Sequence, residues 1–127
     1  MKRRAAVGLG LLVAAAPAFG CGHCAEDKVA AVYDHRVITT AHARGQQVAF
    51  FAIEGPLQAG AESRRVIARA LRPVDGVDSR SLRVATDAGS LSLSYDGKLT
   101  SSSRIVDALN RALAPRGVSV FLLKATA

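Results

Sequence analysis

Hydrophobic positions change period along this chain, and each change marks an element. Over 48–53 every residue is apolar, VAFFAI, and the run is closed by Gly55 and Pro56. So short and continuous a run predicts a strand buried on both faces. Past a Gly/Pro-punctuated loop, Val66, Ile67, Ala70 and Leu71 recur at helical spacing while Glu62, Arg64, Arg65, Arg69 and Arg72 fall elsewhere. That pattern predicts a helix with one face on the strand, stopped by Pro73 and turned by Asp75-Gly76. Leu82, Val84 and Thr86 then alternate with Arg83 and Ala85, and Leu91, Leu93 and Tyr95 alternate with Ser92 and Ser94 across a Gly-containing turn at 87–90. This is the period of a hairpin with one wet face.

Ser101, Ser102 and Ser103 offer N-caps for a second helix whose apolar stripe is Ile105, Val106, Leu109, Ala112 and Leu113, ending before Pro115 and Gly117. Val118, Val120 and Leu122, interleaved with Phe121 and Leu123, predict a last strand. Ahead of the apolar run, 25–44 lacks Pro and Gly and repeats Val29, Val32, Tyr33, Val37, Ile38 and Ala41 at three- and four-residue steps. One helix is expected there, open to a break near Asp34, with Glu26 and Asp27 in its first turn and Gly45 as C-cap. The order is a helix followed by βαββαβ. Two interleaved right-handed βαβ units give an α+β, ferredoxin-like sandwich: four antiparallel strands with both helices on one face. The additional N-terminal helix is expected to pack separately or project.

The first twenty residues change this picture. Lys2, Arg3 and Arg4 form a basic n-region, Val7 to Ala16 is an apolar stretch too short to span a bilayer, and small residues follow it, with Ala16-Pro17-Ala18 and Ala18-Phe19-Gly20 as candidate cleavage sites. The expected organisation is a signal peptide over 1–20, a CxxC segment and helix over 21–46, and one domain over 47–127. Cleavage is expected before Phe19 or before Cys21, with export to the periplasm where the cell has two membranes. A lipobox reading, with Cys21 lipidated and the protein anchored to a membrane, stays open beside it. The formal charge is +7, from 17 Lys and Arg against 10 Asp and Glu, but three of those cations lie in the n-region. Aromatics make up 5% and Trp is absent, so no basic stripe with stacking rings is present, and nucleic acid is not an expected partner.

The segment from Val48 to about Lys124 resembles the heavy-metal-associated domain of copper chaperones and metal-pumping P-type ATPases. FFAIEG at 50–55, Val66 and Leu71, PVDGV at 73–77, LRV at 82–84, SYD at 94–96 and IVDALNRAL at 105–113 carry the resemblance. It implies the same sandwich fold and a protein partner for metal transfer. The family's metal loop is GMxCxxC, between first strand and first helix. Here the loop reads GPLQAGA, with Gln58 and Ala61 where the cysteines would fall, so its Cu(I) chemistry does not carry over.

The chain's two cysteines, Cys21 and Cys24, stand instead at the mature N-terminus, in CGHC. A disulfide between them closes too short a loop to staple a fold, so the pair is read as chemical. Two thiolates at this spacing reach one soft ion. Cu(I) accepts two sulfurs, whereas Zn(II) requires two further ligands, for which His23, His35 and His42 are the candidates. The same tetrapeptide occurs in the active site of protein disulfide isomerases, which keeps a thiol-disulfide carrier as the alternative, with an interaction module that has lost metal binding as a third.

Nothing else reads as catalysis. Asp75 with Asp78 and Asp87 with Asp96 sit at turns, Ser101 to Ser103 lack an adjacent base, and Gly55 with Gly60 makes no phosphate cradle. No enzyme is expected.

Overall fold

Phe50 and Phe51 are adjacent in sequence and belong to two different hydrophobic cores. The computed structural model describes residues 21–126, with side chains from Ala25 onward; the expected signal segment lies outside the described residues. Strand β1 (Gln47–Glu54) lies between β3 (Ser90–Tyr95) and β4 (Ser119–Thr126), and β2 (Val77–Ala85) pairs with the far side of β3. All three pairings are antiparallel and the order is β2-β3-β1-β4, which is the sheet that the split βαβ reading requires. Residues of β1 alternate between the two sheet faces. Ala49, Phe51 and Ile53 enter one core and Val48 and Phe50 the other.

Helices α3 (Ala61–Leu71) and α4 (Ser102–Leu113) cover the first face through Val66, Ile67, Leu71, Ile105, Leu109 and Leu113, all buried. The Ser101 hydroxyl accepts from the Arg104 amide and caps α4. A short 3-10 turn (Ala114–Arg116) follows, and Gly117 returns the chain with φ 75°, in the left-handed region. Asn110 of α4 both donates to the Val120 carbonyl and accepts from the Val120 amide, tying this helix to the edge strand β4.

The second face departs from expectation. The N-terminal segment forms two helices, α1 (Cys21–Ala31) and α2 (His35–Ala43), and both pack on β1 and β3 instead of projecting. Val32 and Ala41 are buried against Val48 and Phe50, with Val29, Val37, Ile38 and Leu123 packed around them. The break falls at Asp34. Its carboxylate accepts from the Arg36 and Val37 amides as the N-cap of α2 and from Arg83 Nε of β2 at 3.0 Å. The hydrogen bond from Arg83 is the main reason its carboxyl is held below the usual aspartate range.

The hairpin face expected to be wet is covered as well. Ser90, Ser92 and Ser94 are all buried. For Ser90 and Ser92 burial is tolerable because the end of α1 lies over them with carbonyls to accept their hydroxyls. Ser92 Oγ donates to the Val32 carbonyl and Ser90 Oγ to the Lys28 carbonyl, both at 2.8 Å, while the Ser94 amide donates to Ser81 Oγ. Ser90 and Ser92 thus fasten the helix layer to the sheet, where the sequence pattern pointed to solvent. Among the described residues, no helix is long and apolar enough to cross a membrane.

If the N-terminal helices are part of the folded unit, deleting the Phe50 ring leaves a cavity beneath them. Phe50→Ala is expected to lower the unfolding free energy by about 3–5 kcal/mol. Phe121→Ala, at a ring that is 42% exposed on β4, should cost well under half of that. Urea unfolding of the two variants measures both values, and equal small losses would mean that α1 and α2 do not bury Phe50 in solution.

Candidate metal site

The position that carries metal in the resembling family is the β1–α3 loop, residues 55–60. Gly55 enters it with φ 113°, and any Cβ there would collide with the Gly117 carbonyl oxygen, so only glycine lets the loop close on the α4–β4 turn. At its other end the Ser63 hydroxyl donates to the Gln58 carbonyl and draws the loop onto the first turn of α3. Gln58 and Ala61 are exposed. The loop thus keeps a defined shape, and its two key positions offer an amide and a methyl. Among the described residues, no group of three or more His, Cys, Asp or Glu side chains comes together.

Cys21 and Cys24 lie in α1, whose described span begins at Cys21. The helix therefore already includes the cysteine positions, three residues apart and on one face, and Glu26 and Asp27 do not open it as expected. The side chains of 21–24 lie outside the described residues, so the site is placed by its backbone. Two contacts fix that placement. Ser90 holds the Lys28 carbonyl and Ser92 holds the Val32 carbonyl, so α1 runs alongside β3 with its N-terminus toward the end where β1 finishes. Lys28 Nζ also donates to the Ala88 and Gly89 carbonyls of the β2–β3 turn, at 2.6 and 3.2 Å, and Gly89 in turn accepts from the Ile53 amide.

Counting back along the helix at 1.5 Å per residue, Cys24 lies about 6 Å past the level of Ser90. Glu54, two strand residues beyond the Ala52 that pairs with Ser90, lies about 7 Å past it. The CxxC turn and the start of the β1–α3 loop therefore stand at one end of the sheet, carried by helix layers on its opposite faces. Lys28 is the residue that sequence reading missed; nothing local marks a contact spanning sixty residues.

The histidines do not join the cysteines. His35 follows the far end of α1, about 16 Å from Cys21 by helix rise up to Val32, and His42 sits next to the start of β1, at the opposite end of the sheet. Both are exposed. His23 lies with the cysteines, outside the residues whose side chains are described. A four-ligand site for Zn(II) is therefore not assembled from His35 or His42.

One substitution pair tests the loop's geometry. In a Cys21→Ser, Cys24→Ser background, Gln58→Cys with Ala61→Cys is expected to bind one Cu(I) under anaerobic competition, while the background alone retains none. Retention by the background would reveal a site in the body of the domain, and failure of the restored pair would show that 55–61 has lost the spacing two thiolates need.

No protein-family model and no curated protein matches this sequence. Solved structures do. A copper-binding domain from HMA7, a P-type ATPase, aligns over 64% of this chain and 99% of its own length, with TM-score 0.51 and 18% identity. The N-terminal domain of a potential copper-translocating P-type ATPase from Bacillus subtilis, determined in the Cu(I)-loaded state, aligns over 64% of this chain and 91% of its own, with TM-score 0.51 and 22% identity. The chain has the fold of the heavy-metal-associated domain, extended by a second helix layer.

Proposed function

We propose that this protein is an exported, non-catalytic carrier of a soft metal, Cu(I) in the first place, which it holds through Cys21 and Cys24 and passes to a protein partner. The observation that carries the reading is the anchoring of α1 by Lys28, Ser90 and Ser92, which sets the CxxC turn at the sheet end where the β1–α3 loop begins. Two thiolates and few other ligands make a soft, low-coordination site that exchanges its ion readily. The two solved neighbours are themselves described as copper-binding and Cu(I)-loaded, which supports copper as the cargo. Zn(II) is the less suited ion.

A second reading rests on the same tetrapeptide. CGHC brings two thiols within reach of one disulfide, so a thiol-disulfide carrier is the alternative. Anaerobic Cu(I) competition on the reduced protein and on its Cys21→Ser, Cys24→Ser variant, alongside the reduction potential of the pair, separates the two. Metal carriage predicts cysteine-dependent, one-to-one retention. An oxidising potential with rapid exchange and no retention would transfer the assignment to redox chemistry, and indifference to both substitutions would leave an interaction module.

Export is read from the n-region and the apolar stretch that follows it, with the periplasm as destination in a two-membrane cell. Intact-mass measurement of the exported protein is expected to give cleavage before Phe19 or Cys21 with a free amine. A diacylglyceryl adduct would turn the Cys21 sulfur into a thioether, place the protein on a membrane and remove the two-thiolate site.

A further inference from the structure

On the face of the domain away from α1 and α2, a groove of about 680 Å³ runs between α3 and α4. Arg69, Arg104, Arg111 and Arg116 line it, and the ion pairs of the described residues engage Arg44, Arg65 and Arg83 but none of these four. The small side chains of Ala70, Ala108 and Ala112 also line it, which leaves room for another backbone to come close. At one end stand Leu99, 56% exposed, and Thr100, 7% exposed, whose Oγ1 is buried without a hydrogen-bond partner among the described residues. An unmade hydrogen bond at a buried hydroxyl is costly, and natural structures carry few of them. Here it sits at the end of the groove that Leu99 and Arg104 also line.

We propose that this groove docks an acidic amphipathic helix of a protein partner. Helices α3 and α4 follow the antiparallel strands β1 and β3 and so run in opposite directions, which brings Arg69, in the last turn of α3, to the same end as Arg104 in the first turn of α4. Arg104 and Arg111 are seven residues apart, two helical turns or about 10 Å, which is the spacing of carboxylates at i and i+7 on an incoming helix. Asp107 lies between them and Asp75 lines the same groove. A continuous polyanion such as a nucleic-acid backbone meets Asp107 wherever it lies along that track. A helix meets the arginines with carboxylates at chosen positions and covers Leu99 and the alanines with its apolar face.

The probe is a synthetic amphipathic helical peptide with Glu at seven-residue spacing beside a Leu stripe, titrated into the Cys21→Ser, Cys24→Ser protein so that metal plays no part. Backbone amide shifts are followed by heteronuclear NMR. Saturable shifts are expected along α3 and α4, with affinity falling as salt rises and about tenfold weaker for Arg104→Ala with Arg111→Ala, two partly screened charge pairs removed together. Both arginines are exposed, so that variant should keep the parent spectrum. Equal binding by the arginine variant, shifts confined to another face, or equal occupation by a scrambled peptide, poly-glutamate or inorganic phosphate would each overturn the proposal, the last by revealing a general anion groove.

Discussion

A strand buried on both faces cannot be satisfied by one layer of helices, and β1 is such a strand. Six consecutive apolar side chains leave it with no face that water can cover at low cost. The βαββαβ core supplies α3 and α4 for Phe51 and its neighbours. Phe50 and Val48 need a second cover, and the chain provides it from the segment before the strand. Much of the architecture follows from that demand, including the burial of β3, whose serines lie under the same helices.

The way the second layer is attached decides what else it can do. A helix laid on a sheet by apolar contact alone can slide, since dispersion contacts have little directional preference. Here α1 is held in register by Ser90 and Ser92 on its carbonyls and by Lys28 on the β2–β3 turn, so its direction and its longitudinal position are both specified. Hydrogen bonds to the last carbonyls of α1 also satisfy groups that would otherwise be stranded over a buried sheet. The N-terminal turn inherits its position from contacts one to three turns away.

The parts of this fold that could be read from the sequence are those where one local pattern has one solution. The 48–53 run could only be a central strand or a buried helix, and Gly55-Pro56 together with its length decided for the strand. Asp34 was legible as a break because Asp favours N-caps. The serines of β3 were not. Ser92 and Ser94 alternate with Leu93 and Tyr95, and that alternation has two physical solutions, solvent or a layer whose polar ends need partners; only the second face of β1 distinguishes them. The first half of β2 escaped notice for another reason, since its pairing with β3 shifts between Asp78 and Arg83 and the alternation is lost there. At the site, CxxC and the missing loop thiols were plain from residue identities. The relation of the CxxC turn to the β1–α3 loop exists only in the folded chain, through contacts that join residues sixty positions apart.

The clasp of Asn110 on Val120 bears on how such a protein behaves in a crowd. Strand β4 is an outer strand, and Phe121 and Leu122 on it are each 42% exposed, the composition that invites another chain to add itself along the sheet. Val120 is the second residue of that strand, and both of its main-chain groups are already taken by one side chain. A neighbouring chain approaching edge-on would find the ladder already occupied where the strand begins, and would have to displace two short hydrogen bonds there before gaining its own. A single amide on α4 thus guards one end of an apolar margin, without any charge being placed on the strand at that point.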